Sequence, residues 1–350
     1  MSGAKVSVIV RSMARATLAR TLASIAAQDV ALEVLLVAAS GAEHPAPAPL
    51  VGVHPLRFVA SAQRLDRSAA ANAGLGAARA EWVTWLDDDD EWLPGHLHGL
   101  LAAAATQPSC AVVHSMARVR VADEVDRTFG QPMAPSELYV RNFLHASATL
   151  VARSLVDAGC RCDETLQLHE DWDWFLQCAQ HTRFHYVRQR TFIWNAGIGE
   201  SGAGSGRNFD ACKVEEAAAW VRRKWEPLRQ QLFAELGPVL QRMRAAAERQ
   251  DWAAARAEID RALAINPNDP VALAVRSAAE RAQGNLVAAQ ATAALASIVR
   301  PYDSTLVYNL ALICRQRGDD VTLADCKRRL AQMAAQDPRA TALCAQLDGN

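Results

Sequence analysis

Nowhere in the 350 residues does an uninterrupted apolar run approach the about 18 that a membrane-spanning helix needs. The opening stretch MSGAKVSVIVRSMAR has only a few apolar residues before Arg11, too few for a signal-peptide core. Those two absences predict a cytoplasmic chain with no transmembrane segment. An excess of charge of one sign is missing too: 37 Lys and Arg face 38 Asp and Glu, a formal net charge of -1. No overall basic field then attracts nucleic acid or anionic lipid, so no nucleic-acid partner is expected and an anionic ligand must be held locally. Metal-ligand spacing is absent among the histidines, and His114, His145, His169 and His185 are each expected to be structural. Paired cysteine motifs are equally scarce. Cys160 and Cys162 form one C-x-C without a second pair nearby, and the others are scattered through apolar segments, as for reduced thiols that pack like small hydrophobes.

What is present is the composition of a globular protein, 51% hydrophobic and 21% charged, with length enough for two domains. KVSVIV (5–10) and EVLLV (33–37) are short, apolar and β-branched, as strands covered on both faces are. Between them Leu18, Leu22, Ile25 and Ala26 recur at helical spacing. The unit repeats as LRFVA (56–60), a small-residue helix over 67–80, and EWVTWL (81–86), which implies a mainly parallel sheet flanked by helices. A helix is expected after Pro94, and CAVVHSMARVRV (110–121) reads as one further strand. AGIGESGAGSGRNF (196–209) holds five glycines and reads as a loop, either a linker or an active-site lid; it is not in register for a dinucleotide fingerprint.

After about Phe233 the sequence becomes Ala-rich amphipathic helix without strand signals. Trp252 to Leu286 spans 34 positions, Leu286 to Val321 spans 35, and Pro267 to Pro301 spans 34 again. The period resembles that of tetratricopeptide repeats, built from stacked helix hairpins. The expected division is a first domain at 1–235 and a helical-repeat domain at 236–350, which would bind a protein partner or a second copy of the chain.

Four consecutive aspartates, Asp87 to Asp90, follow the 81–86 strand. On an extended chain Asp87 and Asp89 point to one side and Asp88 to the other, at the carboxyl end of a parallel strand where open α/β sheets bind ligands. Two such carboxylates can share Mg²⁺ or Mn²⁺ with ligand phosphates. The plainer alternative is that Asp90 caps the helix near Pro94 and Glu91 meets its dipole, which accounts for those two acids but not for Asp87 to Asp89. HEDWDWFLQCA (169–179) likewise reads as an amphipathic helix start. Trp172 there is either core or an aromatic face for a ligand to stack on.

Taken in order, VSVIV…LARTLASIAAQ…LEVLLV, RSAAANAGLGAARAEWVTWLDDDDEW and CDETLQLHEDWDWFLQCA resemble an inverting family 2 glycosyltransferase of the GT-A fold over about the first 200 residues. The resemblance implies a nucleoside-diphosphate sugar as donor and a glycan, lipid-linked glycan or protein as hydroxyl acceptor. It further implies Mn²⁺ or Mg²⁺ at Asp87 and Asp89, and a donor site that includes Arg11, Ser40, Arg67, Asn72, Asp87 and Asp88. Glu170 and Asp171 are the implied catalytic acids, with Asp171 the general base. Two departures stand out. The family's second strand commonly ends in an Asp that contacts uracil, where this chain has Ala39 and Ser40, and an Asn or Asp usual near Met13 and Ala14 is missing. Metal-dependent nucleotidyl transfer is a second enzymatic reading, opposed by RSMARATLAR standing where a Gly-rich, basic phosphate loop belongs. A lapsed transferase scaffold that binds partners through its repeats is the non-enzymatic one.

Overall fold

In the computed structural model, which describes residues 3–121, 124–197 and 209–348, β1 (Val6–Ser12) and β2 (Leu32–Ala38) are buried at every position. That is why their sequences run apolar without alternation: both faces of the sheet are covered. The remaining strands are β3 (Leu50–Val51), β4 (His54–Val59), β5 (Trp82–Trp85), β6 (Glu91–Trp92), β7 (Val112–His114), β8 (Ala117–Val121), β9 (Glu124–Phe129), β10 (Thr149–Ala152), β11 (Phe184–Tyr186) and β12 (Phe192–Asn195). An eight-stranded sheet has the order β11-β7-β10-β5-β1-β2-β4-β3. Its centre is parallel, while β10 runs antiparallel to both neighbours and β3 antiparallel to β4. A second sheet, β6-β12-β8-β9, carries Trp194 and Asn195.

The helices up to residue 179 are α1 (Leu18–Ala26), α2 (Arg67–Ala77), α3 (His96–Thr106), α4 (Pro135–Leu138), α5 (Arg153–Asp157) and α6 (Glu170–Ala179), of which α4 belongs to the second compact unit described below. Asp66 caps α2 by accepting from the Ala69 N–H at 2.8 Å, which fixes where the helix starts and thus where Arg67 stands. α2 lies so close on β1 that a Cβ at Gly74 would come 2.3 Å from Ile9 Cγ2.

Two expectations fail here. Residues 110–121 are two strands in different sheets, β7 and β8, with Ser115 and Met116 between them; an apolar run carries no mark of a change of sheet. Asp90 does not cap α3, whose N-cap is Gly95 at φ 78 without a side-chain bond. The Asp90 carboxylate instead accepts the Asn195 N–H at 2.8 Å. All eight cysteines are free and most are buried, Cys160 and Cys162 included, but Cys212 is exposed. The glycine-rich stretch at 198–208 lies outside the described residues.

The chain divides into two compact units, Met1–Gln131 with Val140–Trp225, and Pro132–Tyr139 with Glu226–Asn350. The division falls inside α7 (Ala211–Glu248), whose helical pattern is continuous, so composition marks the change about ten residues late. In the second unit follow α8 (Trp252–Ile265), α9 (Pro270–Ala282), α10 (Leu286–Val299), α11 (Ser304–Arg317), α12 (Asp320–Ala334) and α13 (Pro338–Asp348). Trp252, Leu286 and Asp320 start alternate helices 34 residues apart, and Pro270, Ser304 and Pro338 start the others at the same interval. Asp269 and Asp303 cap α9 and α11 through N–H groups of their first turns, and Asp319 caps α12. Ala289 and Ala293 are small enough for α10 to close on Val307, Leu310 and Cys314 of α11. This unit also holds the 132–139 segment. Asn266, fully buried, donates to Ser136 Oγ at 2.7 Å and accepts the Ser136 N–H at 3.1 Å. Ala134 packs with Leu273, Val299 and Leu306, and Arg300 pairs with Glu137 at 2.7 Å. Among the described residues no helix is long and apolar enough to cross a membrane.

Candidate functional site

Parallel strands end at one edge of a sheet, and there β1 and β5 deliver their terminal residues side by side. Ile9 is in register with Trp85, so two positions further Arg11 comes opposite Asp87. The Arg11 guanidinium forks onto Asp87, Nε to Oδ1 at 2.7 Å and Nη2 to Oδ2 at 2.8 Å, and its third nitrogen donates to Glu170 Oε1 at 2.8 Å. It also lies 5.3 Å from the ring centroid of Trp85, which stacks on Trp174 at 4.7 Å. A buried arginine thus ties the end of β5 to the start of α6.

Residues 87–90 form a turn, closed by the Asp90 N–H on the Asp87 carbonyl at 3.1 Å, and not an extended strand. Its four carboxylates have separate fates. Asp87, Asp89 and Asp90 line a cavity of about 1160 Å³. Asp88 is fully buried and faces inward, accepting from the Met13 N–H at 2.7 Å, Ser12 Oγ at 3.3 Å and Arg15 Nη1 at 2.5 Å. It organises the loop after β1, where Ala14 is held at φ 59, a conformation that Asn tolerates better than Ala. Arg15 reaches Asp89 as well, at 3.3 Å. The aspartate run is therefore tolerated partly because arginines are built in among it.

Glu170 and Asp171 open α6, following His169 at φ 62. Burial alone would push Glu170 up, but the Arg67 and Arg11 guanidinium charges hold its carboxyl below the usual range. Asp171 is pushed up to about 7 by burial and by the Glu170 charge. One of its oxygens, Oδ1, accepts from the Trp172 N–H at 2.7 Å and from Asn142 at 3.2 Å; Oδ2 has no protein donor among the described residues. Both acids line the cavity.

Of the remaining expected donor-site residues, Arg67 lines the cavity and pairs with Glu170 at 3.1 Å and with Asp87 at 3.8 Å. Asn72, Ser40 and Asp88 are not among the lining residues. The Asn72 amide is spent on the backbone of Cys162 and on Glu164, and the buried Ser40 hydroxyl has no partner among the described residues. Ala39 does line the cavity. Trp172 is core, only 1% exposed, and offers no face to a ligand. Sequence reasoning missed Arg15, Asn142, His145 and Trp194, which all line the cavity. Arg15 had a signal, since it follows the carboxyl end of β1 where ligands bind. The other three arrive from strand ends and loops far along the chain, and nothing local marks them.

Around the aspartate turn and the acid pair, six carboxyls (Asp87, Asp88, Asp89, Asp90, Glu170, Asp171) are ion-paired to three guanidiniums (Arg11, Arg15, Arg67) or left without one. Three carboxyls are correspondingly pushed up: Asp89 to about 6, by burial and then by Asp87, together with Asp90 and Asp171. Asp89 faces the cavity short of positive charge, which fits a divalent cation. Asp87, already engaged by Arg11, has only its remaining lone pairs to share. Among the described residues no three His, Cys, Asp or Glu side chains converge on one metal position. A cation here would take two carboxylates and complete its shell from a ligand's phosphates, the usual arrangement for Mg²⁺.

Residues 7–149 match the family model described as glycosyl transferase family 2. No curated protein sequence matches the chain. Among solved structures, S. aureus TarS residues 1–349 is 16% identical with a TM-score of 0.44, the match covering 55% of this chain and 60% of that one. The same protein in complex with UDP-GlcNAc aligns over 94% of this chain and 92% of that one, at 14% identity and a TM-score of 0.47. The mannosyltransferase PcManGT of Pyrobaculum calidifontis, in complex with GDP-Man and Mn2+, is 18% identical with a TM-score of 0.44, over 57% of this chain and 59% of that one. The chain thus spans about 60% of the length of the first of these structures. The aspartate turn and the parallel centre of the sheet both fall in the stretch, residues 7–149, that is similar to glycosyl transferase family 2.

Proposed function

We propose that the chain transfers a sugar from a nucleoside-diphosphate sugar to a hydroxyl acceptor, with inversion at the anomeric carbon and with the help of Mn²⁺ or Mg²⁺. The observation that carries the reading is the opposed pair Glu170 and Asp171 in one cavity with Asp87 and Asp89. Asp171 is poised near neutral pH, as a general base should be, and its free Oδ2 takes the proton of the acceptor hydroxyl as that oxygen attacks the anomeric carbon. The bond from that carbon to the diphosphate breaks in the same displacement, so the configuration inverts. Glu170, kept ionised, holds Arg67 and Arg11 in position. Arg67 and Arg15 meet the charge that develops on the leaving diphosphate.

A divalent cation held by Asp89 and Asp87 would supply the further positive charge that six carboxyls leave wanting, and would polarise the diphosphate. In the wider chain, we take Met1–Gln131 with Val140–Trp225 as the transferase domain and Pro132–Tyr139 with Glu226–Asn350 as a tetratricopeptide-like stack that recruits the acceptor, a partner protein or a second copy. The 34-residue recurrence of helix starts supports that reading. The test is a thermal-shift panel of UDP, GDP, dTDP and their sugars with and without Mn²⁺, followed by transfer assays on any stabilising donor. If no nucleotide raises Tm under either condition, the proposal fails.

A further inference from the structure

His145 stands where sequence spacing expects a structural histidine. It precedes a short 3-10 turn, Ala146–Ala148, and its Nδ1 accepts the Ser147 N–H at 3.2 Å. A ring nitrogen that accepts an N–H carries its lone pair there, so a neutral imidazole has its proton on Nε2. Burial keeps the ring neutral, lowering it to about 4. Nε2–H is then a donor, and no described residue accepts from it although the ring lines the cavity. Ring orientation is fixed by Phe192 at 4.6 Å, Trp194 at 5.2 Å and Phe129 at 6.4 Å.

His145 lines one cavity with Asp87, Arg11, Arg67 and Glu170, whose charges also act on it. It therefore sits near both the aspartate turn and the acid pair, which is the span that a sugar between diphosphate and acceptor has to occupy. A neutral donor suits a hydroxyl better than a phosphate, because the guanidiniums of Arg15 and Arg67 are nearby for the anion. Trp194 lines the same cavity and offers an aromatic face to the apolar side of a sugar ring.

Resting on the glycosyltransferase reading, we propose that His145 is a specificity-determining residue that donates from Nε2–H to a hydroxyl of the transferred sugar, with Trp194 packed against the ring. It does not act as the base, since its only acceptor nitrogen is occupied by Ser147.

The test is calorimetric titration with Mn²⁺ of wild type, His145→Phe and His145→Gln against UDP, GDP, UDP-GlcNAc, UDP-glucose and GDP-mannose. Phe keeps an aromatic ring without the donor; Gln restores an N–H near the same place. The expected result is an affinity about tenfold lower for the nucleotide sugar in His145→Phe, the loss of one hydrogen bond. The parent diphosphate should bind unchanged and Gln should recover most of the loss. Equal losses for sugar and diphosphate, or no loss for the sugar, overturn the assignment while leaving the transferase reading intact. Wild type that binds none of the five overturns both. If His145→Phe does not fold by circular dichroism, His145→Leu makes the same comparison.

Discussion

Glu170 and Asp171 are consecutive carboxyls driven in opposite directions, one held ionised by two guanidiniums and the other raised to about 7 by burial and by its neighbour's charge. Adjacent acids pushed apart in this way are how one fold assigns separate roles at one pH. Asp171→Asn should lower turnover by at least about 10²-fold with donor affinity little changed. The wild-type rate should rise with pH through about 7, reaching roughly one-tenth of its plateau at pH 6, because the base works only when deprotonated. Asp171 holds its proton more tightly folded than unfolded, so its ionisation weakens the fold as pH climbs through about 7. The Asn variant should accordingly melt higher than wild type at pH 8. A lower Tm would mean that lost structure, not a lost base, explains the slow turnover.

Asp88 and Asp89 should separate cleanly. Asp89→Asn is expected to remove Mn²⁺-stimulated nucleotide binding in calorimetry while Tm holds or rises, since a carboxyl short of counter-charge is relieved. Asp88→Asn should instead lower stability by about 1–3 kcal/mol in urea titrations, because it organises the Met13 N–H and Arg15 in a buried loop.

Arg11→Met should be severe. Two buried acids, Asp87 and Glu170, would lose their shared partner, at a cost of about 3–5 kcal/mol. Denaturant unfolding measures this directly, and a loss below about 1 kcal/mol would show that the two acids take up protons or solvent at little cost.

Donor-base discrimination should be weak, because Ala39 brings no hydrogen-bonding group to the cavity wall. Titration with UDP, GDP and dTDP is expected to give affinities within about 100-fold, or 2.7 kcal/mol. A stronger preference for UDP would point to another residue reading the base.

Removing residues 226–350 should yield a poorly soluble fragment, since Ala134 loses Leu273, Val299 and Leu306, and Ser136 loses Asn266. Asn266→Ala in the full chain is the milder version, expected to cost about 1–3 kcal/mol. A soluble, monodisperse 1–225 fragment would show that the 132–139 segment is content without its helical partners.

Much of the architecture was legible because it is periodic. The largely apolar, fully buried runs of β1 and β2, the small residues of α2 that let it close on Ile9, and the 34-residue recurrence of helices are all local patterns. The cavity was legible where residues end parallel strands, as at Arg11 and Asp87, or open a helix, as at Glu170 and Asp171. It was not legible where a side chain is turned by its surroundings. Asp88 and Asn72 look like their neighbours in sequence but spend their polar groups on backbone N–H and C=O groups, while His145 and Trp194 come in from distant segments.

The reciprocal bonds between Ser136 and Asn266 join positions 130 apart. On a ribosome that adds about 5–20 residues per second, the earlier segment waits roughly 7 to 26 s before its partner is even made. For that interval Ala134 lacks Leu273, Val299 and Leu306, and Ser136 lacks Asn266. The nascent protein should accordingly need a holding chaperone late in synthesis, long after its central strands have emerged.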